Sequence, residues 1–323
     1  MTPAQQTLED KLITAAKDGE SGPGMSRQRK LGLFIYLVIV AVAFAQPIYR
    51  LFVYVLGTTL HSHAVLIPFI TGYLISIERA SWPRIARPSY SLGVPLIFVG
   101  IISFLAMHSG IGSALSENDR LAGFAFSFLS FIWAGGFLFL GRSWMSATAF
   151  AAAFLIFMVP LPDAVASWLE TASKYASAEA AALWIGVMGL PHVREGLIFR
   201  LPGISIEVAQ ECSGIRSSWV LFITSLLGSY LFLRSSWRRA VLVAFVIPLG
   251  IIRNGFRIAV ISWLCVNYGP QMINSSIHHR GGPIFFVMSL IPLFLLLWWL
   301  WRGEEKKRLL AAGLSGRGDA VRP

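Results

Sequence analysis

Residues 240–264 read AVLVAFVIPLGIIRNGFRIAVISWL, an apolar run of membrane-spanning length. A membrane-crossing helix needs about 20 consecutive apolar residues, and the run is long enough. It nevertheless carries Arg253 and Arg257. A charge near the centre of such a helix costs roughly 2.5–3.5 kcal/mol, so an ionisable residue at membrane depth is a functional candidate by default. Working outward, seven more apolar runs lie at 31–56 (broken near Gln46-Pro47), 60–77, 91–109, 121–141, 144–160, 213–233 and 283–301. The pattern predicts an all-α, polytopic membrane helix bundle of about eight transmembrane helices.

Composition agrees. Of 323 residues, 55% are hydrophobic and 13% are charged, with mean hydropathy +0.66. Soluble proteins carry about 25% charged residues, so a water-soluble enzyme and a disordered chain are both excluded. The net charge of +11 would suggest nucleic acid in a soluble protein. Here the basic residues stand between apolar runs, as in membrane proteins, and no nucleic-acid partner is expected. The two cysteines provide neither a disulfide framework nor a paired metal-ligand spacing, so no metal and no cofactor are expected. Residues 1–25 lack an apolar core, so no cleavable signal peptide is expected and the first apolar run is its own insertion signal.

Sidedness follows from Lys and Arg in short loops. Arg27, Arg29 and Lys30 precede the first run, Arg79, Arg84 and Arg87 follow the second, and Arg142 follows the fourth. Arg234, Arg238 and Arg239 follow the sixth, and Arg302, Lys306, Lys307 and Arg308 follow the last. The outer loops at 110–120 and 265–282 hold one basic residue each, Arg120 and Arg280. Both termini are therefore expected in the cytoplasm. The expected organisation is a cytoplasmic segment 1–30, a single transmembrane domain 31–301 and a basic cytoplasmic tail 302–323.

The interruption at 161–211 falls on the outer face. Residues 163–190 predict an amphipathic helix, with Val165, Trp168, Leu169, Ala172, Tyr175, Ala176, Leu183, Trp184 and Val187 at helical spacing. Its charges near the middle favour a helix lying at the surface over a ninth span. Residues 191–211, with Pro191, Gly196, Pro202 and Gly203 around Ile204, Ile206 and Val208, predict a short extended stretch or hairpin.

Three polar constellations then remain. Glu211-Cys212-Ser213-Gly214-Ile215-Arg216 opens the sixth run. A cysteine at a helix N-terminus beside an arginine favours thiolate; the alternative is a small apolar residue packed in the bundle. Arg253-Asn254-Gly255-Phe256-Arg257 places two guanidiniums one turn apart. They fit binding of a substrate carboxylate or an oxyanion; the alternative is snorkelling toward the interface. His278-His279 precedes the last run. Adjacent histidines rarely converge on one metal, whereas an imidazole is a suitable general base. Topology assigns all three constellations to the outer side. His63, with His61, opens the second run on that side as a supporting candidate. Thiol, imidazole and guanidinium together are the parts of nucleophilic acyl transfer.

These residues resemble the exosortase/archaeosortase family of membrane-embedded cysteine transpeptidase-like proteases. Leu197 through Gly203 and Val208, followed by Cys212-Ser213-Gly214-Ile215, is similar to the family's nucleophile region. Pro248 with Asn254-Gly255-Phe256-Arg257 is similar to its arginine motif, and His278 with Gly282 and Phe285-Phe286 to its histidine motif. Ser62-His63 with Pro68, and Phe157 through Pro162, also match. The resemblance implies Cys212 as nucleophile, Arg257 as essential arginine and His278 as proton-transfer residue. Glu211, Ser213, Gly214, Arg216, Arg253, Asn254 and His63 are then supporting or substrate-binding candidates. Arg280 and Gly281 stand where the family commonly has aromatic or aliphatic residues, and Pro283 where tryptophan is usual, so His279 is kept as the alternative. Implied substrates are exported, membrane-anchored proteins with a C-terminal sorting signal: a Pro-Glu-Pro-like motif, a transmembrane helix and a basic tail. Implied too are a bacterial cytoplasmic membrane, a link to exopolysaccharide, and an amine-bearing lipid or polysaccharide acceptor. The competing reading is a transporter or exopolysaccharide-export component without peptidase activity. It predicts two related halves, which the sequence does not contain.

Overall fold

The computed structural model describes residues 26–58, 60–83, 87–208, 214–274 and 282–318. They form two compact units that divide between Asp163 and Ala164.

The first unit opens with α1 (Arg27–Ala43) and α2 (Ala45–Gly57). The Ser26 hydroxyl caps α1 by accepting from Arg29 N–H. The two helices meet at 63°. Pro47 lies in the first turn of α2, where its missing N–H leaves no helical bond unmade. A 3₁₀ turn (Ser62–Val65), α3 (Ile67–Ile77) and a second 3₁₀ turn follow. Then come α4 (Tyr90–His108), α5 (Gly110–Ala114) and α6 (Glu117–Gly135), which continues as a π turn over Gly136–Leu140. Helices α7 (Arg142–Ala147) and α8 (Ala149–Phe154) end in a 3₁₀ turn at Leu155–Met158.

Helices α4 and α6 approach closely because glycines face bulky partners. Gly100 sits under Phe131, and Gly93 under Leu138. In lipid such small residues replace the hydrophobic drive as the source of packing. Ser127 Oγ donates to Gly100 O at 2.7 Å and Ser103 Oγ to Gly123 O at 2.9 Å, one bond in each direction across the pair. Phe44, at the α1–α2 break, meets Phe104 edge-on and Phe128 and Phe131 at a tilt. Gly141 has φ 86°, and a side chain there would run into Arg87 O.

The second unit carries α9 (Asp163–Val187), a three-stranded antiparallel meander, and the helices α10 (Ile215–Phe232), α11 (Ser236–Tyr268) and α12 (Gly282–Gly318). The strands are β1 (Val193–Glu195), β2 (Ile198–Leu201) and β3 (Ile204–Glu207), with Phe199 opposite Ile206. The expected extended stretch is thus two hairpins, turned at Gly196 (φ 63°) and Gly203 (φ 78°). Alternate residues Phe199, Leu201 and Ile206 face inward, onto Ala178, Ala181 and Ile185 of α9 and Ile258, Ala259 and Ile261 of α11. Arg194 fastens the sheet to α9 through Glu179 at 2.8 Å and holds that carboxyl below its usual range.

Helix α9 exists as expected, and the face it packs on its neighbours is the one carrying its small residues. Ala166, Ser177, Ala178, Ala180, Ala181 and Ile185 are buried. Trp168, Leu183 and Val187 of the anticipated stripe are 68%, 74% and 78% exposed. Small residues let α9 lie tightly on its neighbours, and Trp168, Leu183 and Val187 face away from them.

Five helices among the described residues are long and apolar enough to cross a membrane, and seven if each of two bent pairs is one span. The run at 60–77 yields an 11-residue helix, about 17 Å long against a hydrocarbon core of about 30 Å. The run at 144–160 is broken at Thr148, whose Oγ1 donates to Trp144 O. Helix α11 extends over 33 residues. The last helix continues beyond the apolar run through Gly318, so the described part of the basic tail is helical.

Candidate functional site

Five sequence candidates come together in the second unit, around Gly214 just before α10. Gly214 stands immediately before α10 with φ 68° and ψ 5°, a left-handed conformation that glycine adopts freely. A Cβ there would lie 2.7 Å from Asn254 Oδ1, so space excludes a side chain as well. Its carbonyl accepts from Ser218 N at 3.0 Å, Ser217 Oγ at 3.0 Å and Arg253 Nη2 at 3.3 Å.

Arg253 is buried, with 8% exposure. The same Nη2 donates to Ser218 Oγ at 3.2 Å. Nη1 is buried without a hydrogen-bond partner among the described residues. A buried guanidinium demands acceptors, and here a helix-opening carbonyl and a hydroxyl serve. Gly250, one turn earlier on α11, leaves the room Ser218 needs: a Cβ at 250 would stand 2.7 Å from Ser218 Oγ.

The rest of the arginine segment packs residue by residue. Asn254 is buried, and its Nδ2 donates to Ser177 Oγ of α9 at 3.0 Å. Gly255 lies against the α9 backbone, where an added Cβ would be 2.8 Å from Ala180 C and Ala181 N. Phe256 makes an edge contact with Trp184 of α9 at 5.2 Å and with Phe285 of α12 at 6.2 Å. The segment therefore joins α9, α10 and α12 at one level. Arg257 is half-buried one turn beyond Arg253. Its charge is felt by both Arg253 and Arg216, so three guanidiniums gather here. Arg216 itself is exposed. Such a concentration of positive charge suits an anionic group or a developing oxyanion.

Cys212, with Glu211 and Ser213, and the histidine pair His278 and His279 lie outside the described residues. His63 lies in the first unit, on the turn Ser62–Val65, with its Nδ1 buried and unpartnered among the described residues. Cys265, the other cysteine, is buried in the apolar cluster formed by α9, the sheet and α11.

Ser177, Ser218 and Gly250 were not among the sequence candidates. Ser218 is four residues after Gly214 and so shares its helix face. Gly250 is three before Arg253. Ser177 carried no local signal, because its role comes from the packing of α9 on α11.

The family model described as transmembrane exosortase matches residues 57–295. No curated protein and no solved structure matches the chain. The match takes in the strands, the Gly214 clamp, the arginine segment and the start of α12. This chain belongs to the transmembrane exosortase family.

Proposed function

We propose that the protein is an exosortase-like cysteine peptidase or transpeptidase. It acts on the C-terminal sorting signal of membrane-anchored exported proteins, at the outer face of a bacterial cytoplasmic membrane. The observation that carries the reading is the clamp on Gly214 by Arg253 and Asn254. Cys212 is two residues from Gly214 along the chain, a reach of at most about 7 Å. The arginine segment thus braces the backbone next to the only other cysteine besides the buried Cys265.

The chemistry is acyl transfer. The Cys212 proton passes to His278, and the sulfur attacks the scissile carbonyl carbon. A C–S bond forms as the C–N bond breaks, and His278 returns the proton to the leaving amine nitrogen. Arg257 stabilises the oxyanion or pairs with the motif's carboxylate. N–H groups opening α10 have no helical acceptor and are further oxyanion donors. An amine acceptor or water then attacks the thioester and releases the thiol. Substrate helix and basic tail serve to dock the motif at the right depth, so binding remote from the reacting bond is used to orient it.

The test is co-expression with a reporter ending in a Pro-Glu-Pro motif, an apolar helix and an arginine-rich tail. Wild type is expected to shorten the reporter. Cys212→Ala and Arg257→Ala, at equal membrane levels, are expected to leave it whole. Full processing by either variant contradicts the assignment, and a Cys212→Ala variant with its phenotype intact favours a transport role.

A further inference from the structure

A cavity of about 770 Å³ lies in the second unit where α10 ends, α11 begins and the apolar part of α12 gives way to charge. Five cations line it, Arg234, Arg238, Arg239, Lys307 and Arg308, against the carboxylates Glu304 and Glu305. The carboxylates are already engaged. Glu304 accepts from the backbone N–H groups of Arg234 at 3.0 Å and Ser235 at 2.9 Å, and faces Arg238 at 3.9 Å. Glu305 meets Arg308 at 4.0 Å. The positive charge of the cavity is therefore in excess, and it comes from side chains, since Glu304 occupies the start of α11.

Two of the cations are fixed in place. Arg238 is buried, and its Nη1 donates to Leu300 O at 2.6 Å. Arg239 donates its Nε to Leu233 O at 2.7 Å and lies over the Tyr230 ring at 5.2 Å. Pre-set guanidiniums match the paired oxygens of a phosphate. The same wall exposes Trp237 and Trp301, 57% and 42% accessible. Such indoles mark the level at which a helix leaves hydrocarbon. Fixed cations beside exposed indoles suit a ligand with an anionic head and an apolar body.

We propose that this cavity binds the phosphate group of an anionic phospholipid. The inference does not rest on the peptidase reading, because it concerns the opposite end of α10 from Gly214 and is tested by binding. The purified full-length protein in detergent is titrated with phosphatidylglycerol, and separately with phosphatidylcholine of the same chains, and adducts are counted by native mass spectrometry. Arg239→Gln with Lys307→Gln is expected to weaken phosphatidylglycerol retention about tenfold. Arg302→Gln with Lys306→Gln, outside the cavity but with the same change of charge, is expected to bind as wild type. Equal loss in both double variants, or equal binding of the two lipids by wild type, overturns the proposal. Inorganic phosphate is titrated alone against the lipid-free protein: no retention at concentrations where phosphatidylglycerol saturates supports the lipid, and phosphate retained as tightly as phosphatidylglycerol assigns the cavity to free phosphate and overturns the lipid.

Discussion

Arg253 Nη2 stands 3.3 Å from the carbonyl oxygen of Gly214, although 39 residues separate them in the chain. One bond thus connects the arginine segment of α11 to the residue that opens α10. Asn254 closes the same contact from the side, with Ser177 holding its amide. The conformation of Gly214, two residues after Cys212 in sequence, is set by a buried polar cluster, and such clusters respond sharply to removal of one member.

Gly214→Ala is expected to lower stability by about 2–4 kcal/mol, from the left-handed backbone and the overlap with Asn254. Adding Asn254→Ala removes the overlap and leaves the backbone cost. The double variant should therefore melt higher than the sum of the singles requires. Thermal melts of the four proteins in detergent check this; strict additivity contradicts the contact.

Gly255→Ala is expected to separate α9 from α11. The new Cβ meets Ala180 Cβ at 2.5 Å and backbone atoms at 2.8 Å. Overpacking of this kind costs about 1–3 kcal/mol. Ala180→Gly should restore only part of the loss, since the backbone atoms remain. A full rescue in melting temperature would argue against backbone contact.

Arg253→Lys keeps the charge but loses the planar Nη2 that donates to both Gly214 O and Ser218 Oγ. The expected outcome is a folded protein that processes the reporter roughly tenfold more slowly, a loss of about 1.4 kcal/mol in the barrier. Unchanged processing would show that charge alone suffices.

Glu304→Gln weakens the acceptor for Arg234 N–H and Ser235 N–H and removes the charge facing Arg238. A loss of about 1–2 kcal/mol is expected, the usual scale for a charged cap and a partly buried partner. Equilibrium unfolding in mixed micelles measures it. Arg308→Gln, whose contact with Glu305 is exposed and long, should change little.

The membrane character, the break before α2, the helix at 163 and the arginine segment were all legible in the sequence, because hydropathy, proline and buried charge are local signals. The inward face of α9 was not. In water the larger apolar side chains go inside; in lipid they are equally content outside, and packing selects alanine and serine instead. Hydropathy also reports apolarity without reporting continuity, so the run at 144–160 hid its interruption at Thr148. Gly196 and Gly203 both signalled turns, and reading the two together gives three strands. Ser177 became visible only once α9 was seen against Asn254, a tertiary relationship that no local pattern contains.

The proposed mechanism requires a thioester at position 212. The most direct measurement is acid-quenched mass spectrometry of the enzyme during reporter turnover, followed by peptide mapping. An adduct with the mass of the N-terminal product is expected on the Cys212 peptide, released by hydroxylamine and missing in Cys212→Ser. Turnover of the reporter with no adduct at Cys212, and undiminished in Cys212→Ser, would contradict it.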